Sequence, residues 1–360
     1  MKAIYRLSIL FAVLLLTSTS VFSQGCMGGD SGGGVKVRGF IQPQWSYDFL
    51  GTDDDGNSLD ENSFYFNRAR LGVLGSIIYD IDYYFFMEMS PFKTPAATPY
   101  LLDAYVSYTR FAPYAKISLG QFKSPFSLEQ NTGCSELFTV NRSDVVTQLA
   151  GPMRDMGVMV SGGNDTTLIR YSVGYMNGTG LGVYDDNGNK HMVGRLTIKP
   201  LEFMHFGGSF RTGKVNPTNP DSVKNDLYRY AAEMKIDYKN FMIQGEYMMG
   251  LDRLYSASMV PIYGGCGGIV GYDTKTAGDY HKSGYYVMAS YKTNWNLEPV
   301  IKFDSYTADA DTTNAWSDRF TVGFNYFIND YSRLQVNYVY VNEPTAITND
   351  MFIIQLQAKF

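Results

Sequence analysis

The sequence predicts an all-β protein, a transmembrane antiparallel β-barrel of about sixteen strands with an inward-folded constriction loop. Three observations carry that prediction. From Val35 to Phe360 stretch after stretch alternates apolar and polar residues with a period of two, and no segment with a helical period stands out. The gaps between these stretches alternate between short turns and long polar loops. The composition, with 29 Tyr, 23 Phe and 36 Gly in 360 residues, favours strands joined by turns. With 18% charged residues and a mean hydropathy of −0.18, the chain fits neither a disordered segment nor a bundle of membrane helices. A formal charge of −5 also argues against a nucleic-acid-binding face, which would be strongly basic.

A targeting signal is expected at 1–23. Lys2 and Arg6 precede a short apolar core, Ile9 to Leu16, and Val21-Phe22-Ser23 offers small-residue cleavage chemistry before Gln24. That core is far shorter than the roughly 20 residues a spanning helix needs. Cys26 raises the alternative of a lipidated cysteine, although Ser23-Gln24-Gly25 before it lacks the usual apolar position. The segment 24–34 is a Gly-rich flexible lead-in, and 35–360 forms the barrel.

Strands are expected near 35–47, 63–75, 80–90, 101–110, 114–123, 154–162, 166–177, 190–200, 202–213, 227–238, 241–250, 283–293, 297–308, 317–328, 331–342 and 350–360. Most approach the 9–11 residues of a tilted membrane strand. The last strand is the clearest: Phe352, Ile354, Leu356, Ala358 and Phe360 share one face, and Gln355, Gln357 and Lys359 the other. Alternation alone fits a soluble sandwich as well as a barrel. The gaps separate the two. Turns at Gly163-Asn164-Asp165, Lys199-Pro200-Leu201, Tyr238-Lys239-Asn240, Asn294-Trp295-Asn296 and Asn329-Asp330 interleave with loops 48–62, 178–189, 214–226, 251–282 and 309–316. Short turns on the periplasmic rim and long loops outside are a barrel pattern, with both termini on the short-turn side. Clusters such as Tyr83-Tyr84-Phe85-Phe86, Tyr228 with Tyr230, and Tyr285-Tyr286 are expected in girdles at the two membrane interfaces.

If the apolar faces meet lipid, Arg68, Arg70, Arg170, Arg195 and Arg211 point into the lumen. Lys116, Arg229, Lys235, Lys302, Arg319 and Arg333 join them, opposed by Asp82, Glu88, Asp103, Glu233, Asp237, Glu246 and Asp304. Facing rows of opposite charge are often salt-bridged scaffolding, but the planar guanidinium suits phosphate and carboxylate. Rings of fixed charge set pore selectivity, so the arginines favour anions. One gap, 124–153, is about thirty residues long and holds Pro125, Phe126, Glu129, Glu136, Phe138, Arg142 and Asp144. Its apolar content argues against disorder, so it is expected to fold inward and narrow the pore. Lys123, Ser124, Arg142 and Arg154 then stand at or beside the constriction.

At these residues the sequence resembles the phosphate-selective porin O and P family. The resemblance rests on Phe66-Asn67-Arg68-Ala69-Arg70-Leu71-Gly72, Asp103-Ala104-Tyr105-Val106, Gly120 to Glu129 (GQFKSPFSLE) and Arg154-Asp155-Met156-Gly157-Val158, and is diffuse beyond residue 162. It implies a sixteen-stranded homotrimer in the outer membrane of a Gram-negative bacterium, passing small anions through an Arg/Lys-lined path. The final Phe360 resembles the signature by which such barrels are recognised for insertion. Two departures concern charge: Asn141-Arg142 replaces the Glu-Arg often seen in the family, and Asp53-Asp54-Asp55 makes the first external loop a poor funnel for phosphate. Anion passage therefore follows more safely than phosphate selectivity.

Other functions fit less well. His191, His205 and His281 sit in no nucleophile or metal motif, so no enzyme and no cofactor are expected. An active transporter with a plug needs about 22 strands, beyond this length. A general non-selective porin, or an adhesive barrel binding ligands through loops such as 251–282, remains open. Cys134 and Cys266 fall in loops of the same rim, which leaves a bridge open without assigning it.

Overall fold

A computed structural model describes residues 34–90, 100–164, 166–185, 187–217, 222–264, 269–345 and 347–360. The expected targeting signal, Cys26, the lead-in up to residue 33 and Cys266, and with Cys266 the question of a bridge to Cys134, lie outside the described residues. Sixteen strands close into one antiparallel barrel. In chain order they are β1 (Lys36–Asp48), β2 (Glu61–Ile77), β3 (Ile81–Glu88), β4 (Tyr100–Tyr108), β5 (Lys116–Lys123), β6 (Arg154–Gly162), β7 (Ile169–Met176) and β8 (His191–Ile198). They continue with β9 (Met204–Val215), β10 (Asn225–Tyr238), β11 (Phe241–Leu254), β14 (Gly278–Tyr291), β15 (Leu297–Thr307), β16 (Trp316–Phe327), β17 (Ser332–Asn342) and β18 (Met351–Lys359). Two further strands, β12 (Ser258–Tyr263) and β13 (Ile269–Lys275), pair as a separate hairpin. Among the described residues no helix is long and apolar enough to cross a membrane.

Closure comes from β1 pairing with β18, with Phe40 opposite Lys359 and Trp45 opposite Ile354. Gly39 and Phe360 exchange backbone hydrogen bonds of 2.9 and 3.0 Å, so the two ends of the barrel sequence meet at one rim. Closing the sheet leaves it without free edges, the condition a sheet must meet to sit in hydrocarbon. In β1 the pairing with β2 slips between Gln42 and Pro43, where a proline cannot donate to the ladder.

The two faces settle the choice between sandwich and barrel. Gln42, Arg68, Gln244, Asn325, Gln335, Asn337, Gln355 and Gln357 are buried, while Leu71, Val106, Leu119, Val173, Leu196, Val287, Ile301, Val322 and Leu356 are exposed. These polar residues face in and these apolar residues face out, the inverse of a soluble core.

The structure corrects two expectations. The segment 251–282 is not all loop: β11 runs to Leu254, β14 starts at Gly278, and β12 pairs with β13 between them. Pro261 within β12 obscures the strand in the sequence, because proline fits an edge hairpin but not a central strand. The aromatic clusters also split by parity. Phe85 and Tyr285 are exposed outside, whereas Phe86 and Tyr286 are buried inside. Period-two geometry sends neighbouring rings to opposite faces, so only alternate members can reach a girdle.

Candidate functional site

The lumen is built around the segment between β5 and β6. It contains two short helices, α1 (Leu128–Asn131) and α2 (Asp144–Leu149). It packs inside the barrel because it carries its own apolar face: Phe126, Val145, Val146 and Leu149 cluster with the inward Met176, Val193, Met242, Met248 and Met288. A loop inside a lumen must also pair its backbone polar groups, and the charged wall supplies the partners. The Glu246 carboxylate accepts from the Ser127 hydroxyl at 3.1 Å and from the N–H groups of Leu128 and Glu129 at 2.9 and 2.7 Å. Asp304 accepts from the Asp144 N–H at 2.8 Å. Cations serve the carbonyls: Lys302 donates to Asn141 at 3.0 Å and Arg333 to Ser135 at 3.0 Å. Negative groups thus meet the N-terminal ends of the turns, where free N–H groups gather.

Several of the predicted anion-binding residues belong to the same bracing. Arg211 donates to the Gly151 and Pro152 carbonyls. Ser124 donates to the Pro152 carbonyl at 2.7 Å, which ties the loop to itself. Lys123 donates to the Gln130 and Thr132 carbonyls at 3.2 and 3.1 Å, and Arg142 to those of Glu129 and Thr132 at 3.1 and 2.9 Å. Others are matched with carboxylates. Arg70 pairs with Glu88 at 2.7 Å, Arg154 with Asp103 at 3.0 Å, and Arg195 with Glu233 at 2.5 Å. Arg68 is 1% exposed and donates to Gln42 at 2.9 Å. Arg170 lies at a second cavity with Arg195.

Two chambers open beside the loop. The first, about 340 Å³, is walled by β1 to β6 and presents Arg38, Arg70, Lys116, Lys123 and Arg154 with the Asp103 carboxylate. The second, about 540 Å³, lies by the turns after β6, β8 and β10 and gathers Arg170, Arg195, Lys199 and Lys235 with Glu202 and Asp237. His205, expected on a wet wall, lines this chamber and meets Glu233 at 2.6 Å. The structure therefore separates Arg70, Lys123 and Arg154 from Arg170 and Arg195, and Arg211 lines neither chamber.

Cys134 lines the first chamber among its cations. Its sulfur lies 3.1 Å from the Arg70 guanidinium and 3.5 Å from that of Arg142. Burial pushes the thiol up, but Arg142, Arg70, Arg68 and Lys123 together hold it well below its ordinary value. A site that stabilises a thiolate stabilises other anions too.

Sequence reasoning missed Arg38, Tyr84 and Tyr105 as chamber residues. Arg38 lies in the first few residues of the barrel, where alternation is hardest to phase, and the two tyrosines read as girdle or strand formers. A signal was present in the glycines. Gly72 pairs opposite Phe86, and a Cβ there would come within 2.3 Å of its ring. Gly120 pairs opposite Tyr105, and its Cβ would fall 2.7 Å from the Tyr105 Cα. Glycine within a strand marks such a close approach.

A model of the phosphate-selective porin O and P family matches residues 35–351. The chain belongs to that family. Solved porins share the fold of this porin at low identity. The anion-selective porin from Comamonas acidovorans superposes with a TM-score of 0.65 at 12% identity, over 91% of this chain and 100% of that one. The outer membrane channel DcaP of Acinetobacter baumannii gives 0.65 at 14%, over 92% and 99%. OmpF of Salmonella typhi, in complex with daunomycin, gives 0.65 at 14%, over 91% and 97%. No curated protein matches the porin's sequence significantly. Among its described residues no group of His, Cys, Asp and Glu is placed to hold a metal ion.

Proposed function

We propose that this porin is an outer-membrane channel for passive diffusion of small anions. The observation that carries the reading is the first chamber, where Arg38, Arg70, Lys116, Lys123 and Arg154 line the cavity with Asp103, its one lining carboxylate among the described residues. Fixed charge within a narrow, low-dielectric passage acts on every ion that enters it. The segment 124–153 narrows the passage, since it occupies the lumen and is anchored to strands on several sides. In this reading Lys123, Arg142, Arg154, Arg68 and Arg70 shape the field of the first chamber. Arg170 and Arg195 do so in the second, while Ser124 and Arg211 hold the loop root. The short turns face the periplasm, the apolar outer face meets outer-membrane lipid, and three copies assemble as in other trimeric porins. The Comamonas porin named for anion selectivity shares the fold and supports the reading.

A second reading, a general porin of weak selectivity, is favoured by one observation. Arg70, Arg154 and Arg195 are each neutralised by a carboxylate. Phosphate selectivity is the narrower claim within the first reading, and the acidic run Asp53-Asp54-Asp55 on the first external loop weighs against it.

The purified chain in a planar bilayer under a salt gradient tests these readings. Discrete conductance steps with an anion-favouring reversal potential are expected. Steps without anion preference would leave the general porin, and silence would remove the channel. Strong block of chloride current by inorganic phosphate would add the phosphate label.

A further inference from the structure

Resting on the anion-channel reading, we propose that the first chamber holds a subsite for planar aromatic carboxylates, with Tyr84 and Tyr105 taking the ring and one of the flanking cations, Arg38 or Lys116, taking the carboxylate.

The cations that line this chamber divide into two kinds. Arg70, Lys123 and Arg154 spend their donors on Glu88, on loop carbonyls and on Asp103. Among the described residues Arg38 and Lys116 have no hydrogen bond or ion pair, and both line the cavity. Arg38 rests over the Phe86 ring at 6.0 Å, which positions the guanidinium without using its N–H donors. These two cations are free to meet a solute carboxylate.

The wall between them is aromatic, which a channel for inorganic ions does not require. Rings run across neighbouring strands: Phe40 to Phe86 at 6.3 Å, Phe86 to Tyr84 at 5.8 Å, Tyr84 to Tyr105 at 5.4 Å and Tyr105 to Phe122 at 5.8 Å. Phe40, Phe86 and Phe122 are buried, and they form the backing. Tyr84 and Tyr105 are half-buried and line the chamber with an interplanar angle of 31°. Neither phenol hydroxyl has a hydrogen-bond partner among the described residues. Gly72 and Gly120 sit opposite Phe86 and Tyr105, leaving room for the rings to lie along the wall. A polar lumen wall normally carries hydrated side chains. Two half-buried tyrosine rings that line the cavity beside two unspent cations instead match a solute with a flat apolar body and an anionic head. A chamber of about 340 Å³ accommodates one benzoate-sized molecule.

Benzoate and acetate carry the same charge and differ in the ring, so they separate this subsite from the general anion field. In planar bilayers with the wild-type chain, benzoate should half-block chloride conductance at about a tenfold lower concentration than acetate, the scale of one aromatic contact. Tyr84→Leu with Tyr105→Leu should bring benzoate to the level of acetate. Tyr84→Phe with Tyr105→Phe, which keeps the rings and the packing, should retain the difference. Arg38→Gln with Lys116→Gln should weaken block by both carboxylates. Equal block by benzoate and acetate in the wild type would overturn the subsite, as would a benzoate preference that survives in the Leu variant. A wild-type pore with no anion preference in the salt gradient would instead overturn the channel reading itself, a result read before either carboxylate is added.

Discussion

Glu246 on β11 accepts the backbone N–H of Glu129 at 2.7 Å, 117 residues away in sequence, and so ties the inward loop to the opposite wall. The same carboxylate takes the Leu128 N–H, the Ser127 hydroxyl and the Tyr286 hydroxyl at 2.8 Å. One side chain therefore closes the N-terminal end of α1 and fixes where the loop enters the lumen. The loop's position depends on wall residues as much as on its own sequence.

Replacing Glu246 with Ala leaves these buried donors without an acceptor, at about 1–3 kcal/mol for each unsatisfied group. The loop should loosen, and single-channel recordings should show larger, noisier conductance. Glu246→Gln keeps one acceptor oxygen and should fall between. An Ala variant with wild-type conductance and noise would show that the loop is held elsewhere.

Val173 and Ser172 are neighbours on β7 with opposite destinations, since Val173 is exposed outside and Ser172 lines the second chamber. Val173→Arg should destabilise the barrel by about 2–4 kcal/mol, the cost of an arginine at the bilayer midplane. Ser172→Arg should cost much less, because water reaches it. On Val336 and Asn337 the same comparison would mislead, since the Asn337 amide accepts the Val140 N–H at 2.8 Å and an arginine there would also unseat the loop. Equal unfolding midpoints in lipid for the two β7 variants would mean the faces are misassigned.

Selectivity and loop position can be separated by choice of cation. Arg38→Glu changes a charge that braces nothing and should move the reversal potential toward cations. Arg142→Glu removes the donors to Glu129 and Thr132 and should alter conductance as well. Lys224→Glu, in the loop between β9 and β10 and away from both chambers, should do little to either, because screening reaches about 8 Å at physiological salt. A reversal potential indifferent to Arg38→Glu would detach the first chamber from the ion path.

Asp60, in the long loop between β1 and β2, accepts from the Leu50 N–H at 2.8 Å and the Tyr47 hydroxyl at 2.8 Å, contacts that hold its carboxyl below the usual range. A depressed folded value means the contribution is present above the unfolded value of about 3.9 and is lost as pH falls through the folded one. Acid protease should thus cut this loop faster in Asp60→Asn than in the wild type at about pH 5, and the difference should shrink as pH falls through the folded value. A difference that stays constant as pH falls would mean that the ionisation of Asp60 does not order the loop.

The barrel was legible because each strand reports its two faces independently. Phe352 to Phe360 can be phased without knowing what lies beside them, and the alternation of turns such as Asn329-Asp330 with long loops sets the count near sixteen. The inward loop was legible from its length and its apolar content. The roles of its cations were not. Arg142 and Arg38 look alike in sequence, yet one is consumed by backbone carbonyls and the other faces open space.

The amino-acid order by itself determined the all-β class, the inside-out faces and the rim on which the long loops fall. These follow from the period of two and from local turn chemistry, which need no partner strand to be read. Which charges are spent and which remain free was decided by tertiary structure. That depends on contacts between residues such as Glu246 and Glu129, or Arg333 and Ser135, lying 117 and 198 positions apart. A buried loop must satisfy its backbone groups with whatever wall faces it, and which wall that is emerges once the barrel has closed.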